Sequence, residues 1–180
     1  MFTKVETTLP GLVLLRPRIF QDQRGLFIKT FHAETFRDLG LAFEPREEFY
    51  SISAKGVLRG MHFQIPPAAH AKLVYCTAGR VTDVVLDLRR SSPTYGRWHA
   101  CELNATTREL LFIPRGFAHG FLTLDEGATM VYLTTAGHAP AHDKGIRWDG
   151  FGYDWGVRAP VLSARDAAFP TLAEFQSPFA

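Results

Sequence analysis

Short β-type runs separated by turn formers dominate the chain. Leu12–Leu15, Leu73–Cys76, Val81–Leu88, Glu109–Ile113 and Met130–Thr134 are each four to eight residues long and rich in Val, Leu, Tyr or Thr. Fifteen Gly and eleven Pro bound such runs at short intervals. That pattern predicts strands. Many short strands without alternating helices predict an all-β sandwich or barrel of antiparallel sheets. One helix is expected over Ala33–Gly40, where Phe36 and Leu39 fall at helical spacing and Gly40 is the stop. A second helical turn is expected near Ala173–Phe175. The C-terminal third reads as irregular and aromatic, with Trp148, Phe151, Tyr153 and Trp155 placed to pack on the barrel or line a site.

Composition narrows the classes. The 180 residues are 46% apolar and 21% charged, which suits one globular domain over residues 1–180. The formal net charge of +2 argues against nucleic-acid binding by bulk charge. No apolar run approaches a membrane span, and the first residues, with one Lys followed by acidic and polar groups, do not read as a secretory signal. A cytoplasmic protein without a membrane partner is expected. Cys76 and Cys101 provide neither a disulfide framework nor a zinc knuckle, and read as buried strand residues.

The candidate chemistry lies in two stretches. Gly56 is followed six residues later by His62, then Gln64, His70 and Lys72; Pro114, Gly116 and His119 form a Pro-x-Gly-x-x-His. This is the skeleton of the two cupin motifs. In metal-binding cupins the first motif supplies His-x-His and a Glu, and the second supplies another His. Here Gln64 stands for the second His, and Ala68 or Ala69 for the Glu. Two imidazoles of four expected ligands remain, so no metal and no cofactor are expected. The fold expected is a cupin-type jelly roll of two antiparallel sheets with one or two short helices.

The whole ordered set of words resembles the dTDP-4-dehydrorhamnose 3,5-epimerase family, from about Leu12 to Leu172. The words are Asp22-Gln-Arg24-Gly25-Leu-Phe27, Leu58-Arg59-Gly60-Met61-His62, Lys72-Leu73-Val74, Asp87-Leu-Arg89, Ser92-Pro93-Thr94-Tyr95-Gly96, Pro114-x-Gly-Phe-Ala-His119, Gly145-Ile-Arg-Trp148 and Leu162-Ser-Ala-Arg-Asp166. The resemblance implies a nucleotide-linked 4-keto-6-deoxyhexose as substrate and a homodimer as assembly.

A ketone at C4 acidifies the hydrogens at C3 and C5. Inversion needs a base of near-neutral pKa, a positive charge or donor at the oxygen where enolate charge develops, and an acid on the far face. By resemblance His62 is the base, Asp166 the carboxylate that orients it, and Lys72 the enolate-stabilising ammonium. Arg24 and Arg59 match diphosphate ligands, and Phe27 and His119 match substrate contacts.

The chain departs from the family at several positions. Where the family places a Tyr two residues before Pro140, as its acid, this chain has His138. In that register Tyr132 falls inside a strand six residues earlier and is not the replacement. Lys29 stands where an acidic residue is expected, Glu47 in place of a Gln, and Arg165 in place of a Lys. These exchanges leave the nucleotide open between dTDP, CDP and others, and leave open inversion at C3, at C5 or at both. A ketoisomerase, a sugar-binding cupin without turnover and a metal-dependent oxygenase are the alternatives. His62, Lys72 and Asp166 together argue against a mere binder, which needs no base.

Overall fold

A computed structural model describes residues 1–180. One antiparallel sheet contains, in spatial order, β1 (Phe2–Glu6), β2 (Val13–Pro17), β10 (Leu110–Ile113), β7 (Lys72–Ala78), β12 (Ala128–Thr134) and β5 (Glu47–Ser53). The other contains β13 (Asp143–Gly145), β6 (Leu58–Gln64), β11 (Phe117–Thr123), β8 (Arg80–Asp87) and β9 (Trp98–Asn104). A separate hairpin joins β3 (Ile19–Asp22) to β4 (Gly25–Ile28). The predicted all-β, two-sheet barrel is therefore the fold, with α1 (Ala33–Asp38), α2 (Ala164–Ala167) and a 3-10 turn at Leu172–Glu174 as its only helical pieces.

Burial on both faces explains why the clearest strands are continuous apolar runs. Leu12, just before β2, and Val74, Leu111 and Ile113, in β7 and β10, join a cluster between the sheets, together with Val85, Phe121 and Met130. Their neighbours Val13, Leu15, Leu73, Leu110 and Phe112 face outward, where Phe36 of α1, Leu41 and Phe43 cover them. The α1 stop is legible too, because Gly40 takes φ +72, a conformation in which glycine carries no Cβ penalty.

The aromatic C-terminal segment covers the outer face of the second sheet. Phe151, Trp155 and Phe179 pack on Leu58, Met61, Phe63, Leu86 and Ala118. Between Trp155 and Phe179 it forms α2, capped by the Ser163 hydroxyl accepting from the Asp166 N–H at 3.0 Å. This return path delivers Asp166 to β6.

The words at Asp87–Arg89 and Ser92–Gly96 serve the scaffold. The fully buried Asp87 carboxylate accepts from Arg89 Nε and Nη2 and from the Ser92 and Thr94 hydroxyls at 2.6–2.9 Å. Burial pushes this carboxyl up, and those four donors with the Arg89 N–H outweigh it, so it lies below the usual carboxylate range.

Candidate active site

A cavity of about 360 Å³ opens at the barrel mouth between the two sheets. Its walls include Glu47, Arg59, His62, Gln64, His70, Lys72, His119, Tyr132, His138, Asp143 and Arg165. From the second sheet come His62 on β6 and His119 on β11, which are direct register partners. Lys72 on β7 and Tyr132 on β12 come from the first sheet.

Arg59 and His62 are an odd number of residues apart, so a regular strand would point them to opposite faces. The pairing shifts between them: three steps along β6, from His62 to Arg59, match two along β11, from His119 to Phe121. That β-bulge brings both side chains into the cavity. It needs Gly60, whose φ is +142 and whose Cβ would lie 2.5 Å from Gly120 Cα. The two strands can approach this closely only without side chains there.

Two His–Asp pairs meet at this point. His62 Nε2 lies 2.9 Å from Asp166 Oδ1, and the second carboxylate oxygen accepts from the Gly60 N–H at 3.1 Å. Burial raises the Asp166 carboxyl; the His62 hydrogen bond and charge, the Gly60 N–H and the Ser163 hydroxyl overcome it and hold it low. An ionised Asp166 fixes the proton of a neutral His62 on Nε2 and leaves Nδ1 with the lone pair. The second pair is fully enclosed: His119 Nε2 sits 2.7 Å from Asp83 Oδ2. The His119 ring also lies edge-on to Tyr132, with centroids 6.0 Å apart.

Lys72 Nζ crosses the cavity to donate to the His62 carbonyl oxygen at 3.0 Å. Burial lowers its pKa to about 8, against the opposing pull of Asp143 and Asp83. Tyr132 lies beside it on the adjacent strand β12, two residues from Thr134, the register partner of Lys72, and is nearly enclosed. Burial first, then the Asp83 carboxylate, raises the Tyr132 phenol well above its ordinary value, so it keeps its proton.

The remaining expected residues divide by place. Arg59 Nε donates to Ser53 Oγ at 2.9 Å and borders the cavity. Glu47 opens β5 and lies at the mouth. Arg165 in α2 forms a 2.7 Å ion pair with Asp143 and covers the Phe169 ring. His138 belongs to neither sheet; it lies in the turn after β12, mostly exposed and 3.9 Å from Asp143. Arg24, Phe27 and Lys29 do not reach this cavity. Arg24 stands at the exposed tip of the β3–β4 hairpin, paired with Asp22, and Phe27 on β4 is 58% exposed. Lys29 follows β4 and is exposed.

Sequence reasoning passed over Asp83, Asp143 and the cavity-facing role of Tyr132. Asp83 carried a usable signal, as a lone carboxylate between Val81 and Val85 in an apolar strand. Tyr132 lies within a strand as expected, yet it shares with Met130 the face that looks into the barrel. At the cupin ligand positions, the Nε2 atoms of His62 and His119 are each held by a carboxylate and Gln64 is an amide. No three His, Cys, Asp or Glu side chains are grouped so that they could hold a metal ion.

Comparison with known proteins agrees with this geometry. The sequence model of the family described as dTDP-4-dehydrorhamnose 3,5-epimerase matches residues 6–174. The dTDP-4-dehydrorhamnose 3,5-epimerase of Salmonella typhimurium is 40% identical over 176 residues, 96% of each chain. The crystal structure of Legionella pneumophila dTDP-6-deoxy-D-glucose-3,5-epimerase, in complex with dTDP-4-keto-L-rhamnose, superposes with TM-score 0.93 at 34% identity, covering 98% of this chain and 95% of that one. A 3'-monoepimerase from Streptomyces bikiniensis, in complex with dTDP-quinovose, superposes with TM-score 0.88 at 34% identity over 93% and 86%. With the match extending over nearly the whole barrel and both of its histidine strands, this chain belongs to the dTDP-4-dehydrorhamnose 3,5-epimerase family.

Proposed function

We propose that the protein epimerises a nucleotide-linked 4-keto-6-deoxyhexose, of the dTDP-4-dehydro-6-deoxyglucose type, by proton removal and return beside the ketone. The observation that carries this reading is the placement of His62 and Tyr132 on opposite sheets of one cavity, with Lys72, on the sheet of Tyr132, reaching the His62 carbonyl oxygen. A sugar ring lying between the sheets would present one face to each.

His62, oriented by Asp166, takes the proton from the carbon next to the ketone through Nδ1. The electron pair of the broken C–H bond moves to the ketone oxygen, where the Lys72 ammonium stabilises the developing charge. Tyr132 gives its phenolic proton to the opposite face, re-forming C–H and the ketone; solvent then reprotonates Tyr132 and takes the proton from the His62 imidazolium, which restores both groups. Repetition at the second neighbouring carbon gives the double epimer; a single cycle gives the monoepimer. The phenol suits the acid step because burial keeps it protonated, and it faces the base. His138 stands at the mouth, where it serves substrate binding with Glu47, Arg59 and Arg165.

Arg24, Phe27 and Lys29 can touch substrate only if a second copy presents its hairpin. The β5 edge offers a surface for such pairing, with Tyr50 67% and Ile52 62% exposed, and the hairpin exposes Phe20, Leu26 and Phe27. A homodimer joined there is the assembly this reading implies. The N-terminal β1 is already paired with β2 of its own chain. A cytoplasmic setting suits the unpaired thiols of Cys76 and Cys101.

The test is turnover of dTDP-4-keto-6-deoxyglucose by the purified protein, with the CDP-linked compound in parallel. Epimerised product from either supports the reading and names the nucleotide. Unchanged substrate in both contradicts it.

A further inference from the structure

His70 has no part in the chemistry above, yet it lines the same cavity. Its ring is held by Gln64, two residues beyond the base on β6. The orientation of the Gln64 amide is decided by the main chain. Ala139 N–H can only donate, and it meets Oε1 at 2.6 Å. The NH2 end therefore faces the Ala68 carbonyl oxygen and His70 Nδ1, both at 2.9 Å, with the Gly137 carbonyl oxygen farther off at 3.3 Å. The two shorter contacts take the two hydrogens.

His70 Nδ1 must then accept, so the ring's proton sits on Nε2. No protein group takes that N–H. Burial lowers the His70 pKa to about 4, and Lys72, Arg115 and His138 push the same way against the Ala68 carbonyl. The imidazole is thus neutral while Lys72, two residues on, carries the charge. A neutral donor at this place can grip an oxygen without competing with Lys72 for the enolate.

We propose that His70, locked by Gln64 as its Nε2–H tautomer, is a specificity-determining residue that donates a hydrogen bond to an acceptor oxygen on the sugar side of the bound nucleotide sugar. It rests on the epimerase reading of this cavity. The sugar side is favoured because His70 neighbours Lys72 and is tied to the strand that bears His62, the end where the reacting ring belongs.

The test has two parts. Nitrogen-15 NMR of the free wild-type protein, at neutral pH, reads the His70 tautomer without any ligand; protonated Nε2 and bare Nδ1 are expected, and protonated Nδ1 overturns the proposal. Calorimetry then compares dTDP-glucose and dTDP on wild type, H70F and H70Q. The loss of one neutral hydrogen bond should weaken dTDP-glucose binding to H70F by about fivefold to tenfold. Binding of dTDP should stay within about twofold, and H70Q, which keeps a neutral donor, should recover most of the loss. Equal weakening of both ligands, no weakening, or no recovery in H70Q overturns the proposal. Failure of wild type to bind dTDP-glucose, dTDP and CDP-glucose alike would overturn the epimerase reading itself, and the NMR result would still report the tautomer.

Discussion

The Lys72 ammonium donates to the main-chain carbonyl of His62 across the barrel, at 3.0 Å. One contact thus ties the first sheet to the second and fixes the positive charge beside the base. In the proposed mechanism the enolate oxygen forms where both reach it. This geometry gives each group a distinct kinetic signature.

In the proposed mechanism Lys72 stabilises the enolate only while charged. Its pKa, lowered by burial to about 8, predicts that kcat falls as pH rises through about 8. Lys72→Met should lower kcat by about 10²–10³-fold, the scale of losing one oxyanion donor. Lys72→Arg keeps its charge and should lose the alkaline limb. A pH–rate profile of both variants decides this; an unchanged limb in K72R would assign it elsewhere.

The dyad predicts that Asp166→Asn lowers kcat by about 10²–10⁴-fold, because the amide no longer fixes the His62 tautomer. KM should move far less, since Asp166 lies behind the ring. Steady-state kinetics on the folded variant is the check.

Tyr132 and His138 separate by the step they affect. Tyr132→Phe should still let His62 exchange the substrate proton with solvent, while inversion drops by about 10²-fold or more. His138→Phe should keep inversion and express its effect in KM. Deuterium uptake measured beside product stereochemistry distinguishes the two, and retained inversion in Y132F would return the acid role to His138.

If the hairpin serves a second copy, Arg24→Ala and His62→Ala are each defective alone but complementary together. Each mixed dimer should contain one intact site and one doubly defective site, and so recover up to about half the wild-type activity per dimer, by the symmetry of an isologous pair. Ultracentrifugation shows whether dimers exist, and absent recovery in mixed dimers would keep the hairpin out of the site.

Asp87 governs stability rather than turnover. Asp87→Asn breaks a buried charge network and should cost about 2–4 kcal/mol. The folded-state pKa is depressed, so this stabilisation is present above about pH 4, the unfolded value, and is lost as pH falls through the lower folded one. Denaturation at pH 7 and at acid pH should show the gap between wild type and D87N shrinking.

The parts of the fold most legible in the sequence are those buried on both faces. β2, β7, β8, β10 and β12 read as apolar runs because both neighbouring layers demand it. The site strands are hidden for the opposite reason. In β6 and β11, Gly60 and Gly120 allow close approach while His62 and His119 face the cavity, and each interrupts the apolar pattern. The bulge that turns Arg59 and His62 the same way has no signature in their spacing. The β3–β4 hairpin, exposed in one chain, offers no periodicity of a buried face. His62, Lys72 and Asp166 were legible as a set through motif resemblance, whereas Tyr132 needed the sheet pairing that aims it inward.

Proton NMR in deuterium oxide with dTDP-4-keto-6-deoxyglucose, on wild type, H62N and Y132F, tests the base and acid on opposite faces most directly. The account predicts deuterium at C3, C5 or both with inversion in wild type, deuterium without inversion in Y132F, and neither in H62N. Inversion in H62N equal to wild type would contradict it.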